Sequence, residues 1–428
     1  MRLLDNRHAY TLLLWLLLPY ALAHLWWRSR KQPEYLLHIS ERFGHYKISC
    51  DKPVIWLHTV SVGETRAAAT LIKSLLGRYP DHQILLTHTT PTGRAASEQL
   101  YGDQVLRIYL PYDYPFAVRR FLKHFRPRAG VLLETEVWFN LIHEGRRMHV
   151  PLLLLNARLS ERSARKYARF PRLVHDGLHD FALIAAQSDS DAERLSSLCG
   201  HAVPVMGNLK FDITPPASQL QAGEALRDRF GRTRPIFLAA STREGEEALL
   251  LEALHQASVS NLLTIIVPRH PQRFDEVANL IELHGFRMQR RSDDTAILPE
   301  TQIVLGDSMG ELFAYYAACD IAFIGGSLLP LGGQNLIEAC AVGKPVLIGP
   351  HTFNFSQVTD LSIADGAALR VPDAFELVHR MADLLRDPQR ILEMGRCGEH
   401  FVSRNQGATA RAVSFVEDAL SHGSSKRS

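Results

Sequence analysis

The sequence predicts an α/β protein built from two doubly wound, Rossmann-like domains. From Pro53 onward, short apolar runs alternate with amphipathic segments, which is the order produced by parallel strands covered by helices. Turn residues and a proline pair interrupt this alternation near residues 205–216, and it restarts with the run PIFLAAS. A chain of 428 residues is also long for a single hydrophobic core. We therefore expect two similar domains with a cleft between them.

The chain begins with an apolar run, residues 9–27, that is just long enough to span a bilayer. Three basic residues follow within residues 28–31, so the run is interpreted as a membrane anchor. A cleaved signal peptide is the alternative, because residues 21–23 resemble a cleavage site. That reading is less favoured because the run continues through Trp26 and Trp27. Basic residues flank both ends, so the pattern leaves open whether the helix spans the membrane or lies in its interface.

The two predicted domains differ in sequence but repeat one pattern of strands and helices. In the first domain the strand-like runs are VIWLHTV, ILLTHTT, VLRIYL, GVLLETEVW, VPLLLLNARL and FALIAAQ. In the second they are PIFLAAS, LLTIIVP, TQIVLGD, CDIAFI and KPVLIGP. The C-terminal stretch, residues 374–422, is predicted to be helical.

Composition narrows the class of function. Hydrophobic residues make up 46% and the formal charge is only +3, which argues against disorder and against a general nucleic-acid-binding surface. The five cysteines are scattered without a CxxC or Cys/His pattern, which favours a reducing compartment and disfavours a zinc site. The chain has no Walker lysine motif, GxSxG elbow or metal triad. We therefore predict neither a metal nor a cofactor.

The stretch from Gly325 to Phe355 follows a predicted strand, CDIAFI (residues 319–324), and is predicted to form a glycine loop, a short helix and a second strand, KPVLIGP (residues 344–350). Its glycines permit positive φ angles, and the first amides of the helix carry the positive end of its dipole, an arrangement that suits a phosphate. Asn335 and Glu338 would share one helix face, where Glu338 could accept hydrogen bonds from two ribose hydroxyls. A glycine-rich turn followed by a solvated glutamate fits the same residues. The glycines of the predicted cradle are Gly325, Gly326, Gly332 and Gly333.

Acidic residues follow two of the predicted strands in the first domain. Glu64, in SVGETRAAA, comes where a strand ends in a glycine turn and a helix begins. Ligands of open α/β sheets bind at the carboxyl ends of strands, so Glu64 is a candidate general base for an acceptor hydroxyl. A glutamate in a first helical turn also complements the helix dipole without any catalytic role. Glu134 and Glu136 end another strand, and alternation predicts that both side chains lie on one face.

Basic residues are expected on both sides of the cleft. Lys210, in the linker, and Arg269, in VPRHP, could hold phosphate or carboxylate oxygens, although salt-bridged or solvated roles are more common. The segment DSMGEL, residues 307–312, offers backbone amides at a strand-to-helix junction. Residues 117–129 carry five Arg and Lys with interspersed phenylalanines and no acid. They predict a face for an anionic membrane or substrate, with a solvated helix face as the alternative.

Beyond the N-terminal apolar run, the chain carries these motifs in order: ERFG, SVGE, TPTG, ETEVW, NARLSERSA, GNLKFD, STREGEE, VPRHPQRF, GDSMGEL, GGSLLPLGGQN and GPHTFNF. In this order they resemble the motifs of the lipopolysaccharide Kdo (3-deoxy-D-manno-octulosonic acid) transferases, and the resemblance covers nearly the whole chain. Departures exist: Gln334 stands where the family commonly has histidine, and Leu133, Val137 and Phe139 also differ from its pattern. The change to Gln334 removes a titratable donor beside the implied CMP site.

The resemblance implies a GT-B fold with an N-terminal anchor, residues 1–31, an acceptor domain, residues 32–212, and a CMP-sugar-binding domain, residues 213–428. It implies transfer of Kdo from CMP-Kdo to the lipid A precursor, lipid IVA, at the cytoplasmic face of the inner membrane. By motif position Glu64 would be the catalytic base, and Glu134 and Lys210 would stabilise the transition state. The residues implied in CMP binding are Pro268, Arg269, Met309, Gly310, Glu311, Asn335, Leu336, Ile337 and Glu338.

The chemical types and positions of these residues are consistent with the implied reaction. A base facing the acceptor and a nucleotide held by the other domain suit a single displacement with inversion, and basic residues can stabilise the CMP phosphate without a metal. Two other functions fit parts of the sequence. A nucleotide-sugar epimerase would share the fold but needs no anchor, and a membrane-associated binding protein would lack catalysis.

Overall fold

The computed structural model describes residues 5–30, 32–256 and 259–425. Contacts within the chain divide it into two compact units, Met1–Asp212 with Gln406–Ser428, and Ile213–Asn405. Each unit contains a parallel sheet with helices packed on it. The prediction of two Rossmann-like domains is confirmed.

The first unit is organised around one parallel sheet. Its strands are β1 (Val54–His58), β2 (Gln83–His88), β3 (Leu106–Tyr109), β4 (Ala129–Leu133), β5 (Leu152–Ala157) and β6 (Leu183–Ala186). They pair in the order β3-β2-β1-β4-β5-β6, which reverses between β1 and β4. Ile55 and Leu57 pack in one apolar cluster and Trp56 in another, because successive strand residues face opposite sides of the sheet.

Helices cover both faces of this sheet, which explains why its strands are apolar along their whole length. The helices of the first unit are α1 (Arg7–Ser29), α2 (Val62–Ala67), α3 (Ala69–Arg78), α4 (Pro91–Tyr101), α5 (Pro115–Phe125), α6 (Phe139–Arg147), α7 (Glu161–Tyr167), α8 (Pro171–His179) and α9 (Asp189–Cys199). Short 3-10 helices precede the sheet, at Pro33–Tyr35 and Ile39–Phe43.

The second unit repeats the plan. Its strands are β7 (Ile236–Thr242), β8 (Leu263–Pro268), β9 (Met288–Arg290), β10 (Ile303–Leu305), β11 (Ile321–Ile324), β12 (Val346–Ile348) and β13 (Ala368–Arg370). They form a parallel sheet in the order β13-β12-β11-β7-β8-β10-β9, which reverses between β7 and β11. Its helices are α10 (Ala217–Phe230), α11 (Glu246–Gln256), α12 (Phe274–Leu283), α13 (Leu312–Ala318), α14 (Ile337–Ala341), α15 (Ser356–Ala364), α16 (Ala374–Leu385) and α17 (Pro388–Asn405).

The last helix, α18 (Ala408–Ser425), belongs to the first unit. Its apolar stripe, Ala408, Ala412, Val416 and Leu420, packs in the same cluster as Ile55 of the first sheet. The predicted second domain, residues 213–428, included this helix, whereas its packing groups it with the first unit. Helical periodicity specifies that a helix has an apolar stripe, but it does not specify which sheet that stripe covers.

The segment predicted as a linker, residues 205–216, is largely part of the first unit. Val205 pairs with Ala186 at the end of β6, and Leu209 and Phe211 are buried. The Leu209 amide donates to the Asn156 side chain at 3.1 Å, which fixes the segment against β5. The first unit therefore extends as far as Asp212.

Among the residues described, α1 is the one helix long and apolar enough to cross a membrane by length and composition. It begins at Arg7 after the N-cap residue Asn6, whose side chain accepts from the Ala9 amide, and it continues through Pro19 to Ser29.

The packing of α5 corrects part of the prediction that residues 117–129 form a basic and aromatic outer face. Phe121 and Phe125 are buried in the core beneath the sheet and do not form an outward aromatic face. Arg119 donates to the buried carboxylate of Glu144 at 2.9 Å, while Lys123 is exposed. The alternation of phenylalanine and charge is therefore that of an ordinary amphipathic helix, with its aromatic side inward.

Candidate active site

Glu64 lies in α2, immediately after β1. Ser61 caps this helix, and its hydroxyl accepts from the Glu64 amide at 3.4 Å. The Glu64 carboxylate accepts in return from the Val60 amide at 2.8 Å and from the Ser61 hydroxyl at 2.9 Å. This reciprocal arrangement holds the start of the helix and also fixes the direction of the half-buried carboxylate.

Glu64 follows β1 at the point of the first sheet where folds of this kind commonly bind ligands. β1 and β4 are neighbours, and the strand order reverses between them. Crevices at the carboxyl ends of strands, at such a reversal, are where open α/β sheets bind ligands. Glu64 follows β1 and Glu134 follows β4, so both carboxylates come from the two strands that border this point.

Glu134 and Glu136 separate after β4. The strand ends at Leu133, and Glu134 has a φ of 62°, in the left-handed region that few non-glycine residues adopt. The Glu134 carboxylate lies 3.5 Å from the Lys210 ammonium, while Glu136 accepts from the Trp138 indole at 2.6 Å. The prediction that both side chains lie on one face rested on strand alternation, which does not apply here because β4 ends at Leu133 and the two carboxylates have different partners.

The two acids nevertheless act on Glu64 electrostatically. Burial raises the pKa of the Glu64 carboxyl above its ordinary value, and the hydrogen bond from the Val60 amide opposes that shift. The negative charges of Glu134 and Glu136 raise the Glu64 pKa further. A carboxyl with a raised pKa is a stronger base when ionised, which suits proton abstraction.

Sequence reasoning did not single out His58, the last residue of β1. Its imidazole is fully buried, with Nδ1 2.8 Å from the Thr87 hydroxyl and Nε2 3.6 Å from Glu136. The histidine thus connects the end of β1 to the acid that follows β4. A single histidine within an apolar strand carries no motif, so nothing in the sequence distinguished it from a core residue.

In the second unit the glycine stretch folds as predicted, with β11, a loop, α14 and β12 in that order. Gly326, Gly332 and Gly333 have positive φ angles of 70°, 95° and 73°. Gly325 is required for a different reason, since a Cβ there would lie 2.5 Å from the Ser241 carbonyl oxygen. The glycines therefore permit this loop to turn and to approach the end of β7 closely.

The first part of this loop binds a residue of the chain itself. The fully buried carboxylate of Glu246, at the start of α11, accepts from the amides of Gly326, Ser327 and Leu328. It also accepts from the Arg243 amide at 2.9 Å. Burial raises the pKa of the Glu246 carboxyl, and these four backbone donors oppose the shift. The prediction that this part of the loop cradles an external phosphate is corrected, because an internal carboxylate takes its amides.

Glu246 is a residue whose role sequence reasoning missed, although it lies in the STREGEE motif. Acidic residues in a first helical turn are common, so its type and position suggested only dipole complementation. Its role depends on residues about eighty positions later in the chain, and no local pattern reports that contact.

The remaining candidate residues of the second unit lie at the carboxyl ends of neighbouring strands. Arg269 follows β8, and its amide donates to the Thr242 carbonyl at 2.9 Å. Met309 is exposed, and Gly310 has a φ of 83°, in the turn between β10 and α13. Glu311 accepts from Arg291 at 3.1 Å. β8 and β10 are neighbours, and β7 lies between β8 and β11, so one edge of the sheet collects the residues predicted to bind nucleotide.

At the start of α14, Asn335 donates to Glu338 at 3.2 Å and accepts from the Ile337 amide at 3.1 Å. The side chains of Leu336 and Ile337 are fully buried, so only their backbone is available to a ligand. Glu338 is half-buried on the same edge. Its charge raises the pKa of the buried Tyr316, after the larger effect of burial, and Arg269 lowers it. The charges of Glu338 and Arg269 therefore converge on one region.

Comparison with known proteins places this geometry in a class. Residues 37–213 match the family model described as 3-Deoxy-D-manno-octulosonic-acid transferase (kdotransferase), and residues 248–401 match glycosyl transferases group 1. A glycosyltransferase structure from Rickettsia africae aligns with a TM-score of 0.57 at 15% identity, covering 87% of this chain and 99% of that one. The fold is that of a GT-B glycosyltransferase.

Full-length relatives identify the family. The 3-deoxy-D-manno-octulosonic acid transferase of Bordetella pertussis is 42% identical, over 97% of this chain and 100% of the relative. That of Haemophilus influenzae is 36% identical, over 97% of this chain and 99% of the relative. The chain belongs to the 3-deoxy-D-manno-octulosonic acid transferase family, and it is a Kdo transferase of lipopolysaccharide biosynthesis. Family membership decides for a transferase over an epimerase.

Proposed function

We propose that this protein transfers Kdo from CMP-Kdo to the lipid A precursor, lipid IVA, with inversion and without a metal, and that Glu64 is the general base. It acts at the cytoplasmic face of the inner membrane, where α1 serves as the anchor. The observation that carries the catalytic assignment is the oriented, half-buried Glu64 carboxylate at the reversal point of the first sheet, with a raised pKa.

In the proposed reaction the acceptor hydroxyl oxygen attacks the anomeric carbon of Kdo from the side opposite the nucleotide. The bond between that carbon and the CMP phosphate oxygen breaks, and CMP leaves with the bonding electron pair. The hydroxyl proton passes to Glu64. The Val60 and Ser61 donors hold the carboxylate in a fixed direction, so little reorganisation is needed at the moment of transfer.

Lys210 and Glu134 are proposed to stabilise the transition state from the other side of the reversal point. Their ion pair, at 3.5 Å, fixes the ammonium near the acids of the first site. A positioned cation there suits the carboxylate of Kdo or the departing phosphate. Arg269 and the residues Met309–Glu311 and Asn335–Glu338 are proposed to hold CMP, with Glu338 on the ribose hydroxyls.

The function itself is tested by incubating the full chain with CMP-Kdo carrying a radiolabelled sugar and with lipid IVA. We expect label in the lipid product, and mass spectrometry of that lipid then reports the mass added. Transfer to water alone, or no dependence on the lipid, would contradict the proposal. A chain that binds CMP without any transfer would instead support the binding-protein alternative.

The electrostatic coupling predicts a shift in the pH profile. Glu64 acts as a base only when ionised, so the acid limb of kcat/KM lies above the pKa of an ordinary glutamate, 4.5. The negative charge of Glu134 raises the Glu64 pKa, and in Glu134→Gln that charge is absent. We therefore expect the acid limb to move to lower pH in this variant, measured as kcat/KM against pH.

The exposed Glu98 on α4 provides the control for this shift, since Glu98→Gln changes the same charge away from the site. It should leave the midpoint of the acid limb in place. An acid limb that stays unchanged, or rises, in Glu134→Gln would show that another group sets the profile.

The role of Glu338 predicts a defect in donor binding. A carboxylate that accepts from two ribose hydroxyls makes charge-assisted hydrogen bonds worth about 1.5–3 kcal/mol. Glu338→Gln should therefore raise KM for CMP-Kdo by roughly 10- to 100-fold, with a much smaller change in kcat. Initial rates over a CMP-Kdo series measure both quantities. Glu393→Gln, at an exposed position on α17, is the control and should leave KM unchanged. A fall in kcat at constant KM would assign Glu338 another role.

A further inference from the structure

One narrow stripe of α1 is covered along the whole length of the helix. The other side is exposed, and Leu16 and Tyr20 show 70% and 69% of their surface. Because covered positions recur every three or four residues, they lie on one side of the helix. Seven of them form this stripe, of which Leu25 and Ser29 are buried and the others partly buried: Arg7, Thr11, Leu14, Leu18, Ala21, Leu25 and Ser29. Tyr10, also partly buried, lies beside the stripe, and Ala9, partly buried too, lies outside it.

The N-terminal end of α1 is held by polar contacts to the first unit. The buried Asp5 carboxylate accepts from the Leu173 amide at 3.0 Å, at the start of α8. The Tyr10 hydroxyl donates to the buried Asp113 at 2.9 Å, and Thr11 donates to the Asn140 side chain at 2.9 Å. These are specific hydrogen bonds, one buried and two partly buried, of the kind that fix one packing arrangement.

Aromatic and backbone contacts continue this attachment toward the middle of the helix. The Tyr114 hydroxyl donates to the Leu14 carbonyl at 2.6 Å. The indole of Trp15 packs against the rings of Tyr114 and Phe116, with centroids 4.8 and 5.8 Å away. The first half of α1 is therefore docked on the segment that leads into α5.

The C-terminal end of α1 returns directly to the same unit. Leu25 and Ser29 are buried, and the Arg28 guanidinium lies 4.4 Å from the centre of the Tyr35 ring. Glu41, in the 3-10 helix Ile39–Phe43, then accepts from the Tyr109 amide of β3 at 2.8 Å. Both flanks of α1 are thus bonded to one folded body.

A helix that crosses a bilayer once places its two flanks on opposite sides. The 23 residues of α1 extend about 34 Å, close to the thickness of the hydrocarbon core, so spanning would use its whole length. The contacts of Asp5 and Tyr10 before and within the helix, and of Glu41 after it, are incompatible with that arrangement. We propose that α1 lies in the plane of the membrane interface, with its exposed apolar face in the bilayer, and does not span it.

This inference rests on the proposed membrane association and specifies its geometry. The face opposite the covered stripe carries Leu12, Leu16, Tyr20 and Trp27, whose spacing places them together on the helix. Trp26 is also exposed, and the Arg30 guanidinium lies 4.1 Å from the centre of its ring. An apolar face with tryptophan and arginine at one end matches an interface that contains anionic lipid.

Basic residues on α5 border the same face. Arg120 is exposed and lies over the ring of Phe116 at 5.2 Å, and Phe116 in turn stacks on Trp15 of α1. Cations at the edge of an apolar surface favour a negatively charged bilayer over a second copy of this positively charged chain. The bilayer is therefore the occupant that we assign to this face.

The inference is tested on the full chain by finding on which side of the inner membrane each end of α1 lies. In a chain whose partly buried native cysteines, Cys50 and Cys397, are replaced by serine, one new cysteine at a time replaces His8 or Arg30, which are exposed near the two ends of α1, or Glu193, exposed on α9, as the reference. A membrane-impermeant maleimide is applied to inverted inner-membrane vesicles and to cells with a permeabilised outer membrane, with the unsubstituted chain as background. We expect all three sites to react in inverted vesicles and none in the cells. Reaction of His8→Cys and Arg30→Cys from opposite sides would overturn the inference.

The depth of α1 residues in the bilayer provides a second, independent test of the in-plane arrangement. Nitroxides at Leu12, Leu16, Tyr20 and Trp27 are compared in phosphatidylethanolamine vesicles with and without phosphatidylglycerol. An in-plane helix gives equal, shallow depths, whereas a spanning helix places Tyr20, which is near the midpoint of α1, about 6 Å farther from the nearer surface than Leu12. Strong spin–spin coupling between chains, with no lipid contact, would assign the face to a second copy and overturn the inference. Failure to bind vesicles at all would overturn it together with the proposed membrane association, while Kdo transfer in detergent would still test the catalytic proposal separately.

Discussion

Glu64→Gln is expected to reduce Kdo transfer by about 10²- to 10⁴-fold in kcat, the range typical for loss of a general base. Glutamine keeps an oxygen that can accept from the Val60 amide, so the start of α2 and its cap should persist. What it lacks is the basic oxygen that takes the acceptor proton. The measurement is single-turnover transfer from CMP-Kdo to lipid IVA, together with CMP affinity, which should change little because the nucleotide site is assigned to the second unit.

The chain contains a matched control for this substitution. Glu161 also occupies the first turn of a helix capped by a serine, Ser160, but it is exposed and pairs with Arg165. Glu161→Gln therefore removes a helix-start charge without touching the proposed site, and activity should be unchanged. Wild-type transfer by Glu64→Gln would exclude Glu64 as the base, and loss of CMP binding would indicate a folding defect instead.

Glu246→Gln is expected to have the largest effect on the second unit. One carboxylate oxygen of Glu246 accepts from the Ser327 and Leu328 amides, and the other oxygen accepts from the Gly326 and Arg243 amides. Glutamine replaces one of those oxygens with an amide group that donates, so backbone donors are left buried and unpaired. Each such group costs about 1–3 kcal/mol. We expect the free energy of unfolding of this unit to fall by roughly 2–4 kcal/mol and donor affinity to fall as well.

Chemical denaturation of the full chain, with hydrogen exchange to assign the transition to residues 213–405, measures this loss. Glu244→Gln is the control, because Glu244 lies two residues earlier and is exposed. Hydrogen exchange should accelerate first in the glycine loop of Glu246→Gln, where the amides lose their acceptor. Unchanged stability with unchanged exchange there would show that the loop does not depend on the carboxylate.

The fold was largely predictable because its information is local. Continuous apolar strands such as Val54–His58 and Leu152–Ala157 indicate a sheet covered on both faces, and the amphipathic segments between them indicate the covering helices. The glycine stretch was likewise recognisable, since only glycine tolerates the φ angles of Gly326 and Gly332. The place of Glu64 after a strand was also predictable, and that strand lies at the reversal point of the first sheet, while its role as the base stays a prediction.

The sequence by itself determined the class of fold, the two sheets, the family and the strand ends where the chemistry is expected. Only the tertiary structure decided that α18 covers the first sheet, that Glu246 occupies the amides of the glycine loop, and that Glu134 and Glu136 turn to different partners. It also decided that both flanks of α1 bond to the first unit. The physical reason is that periodicity and residue type describe what each segment can bury or donate, whereas the choice of partner depends on segments far away in the chain.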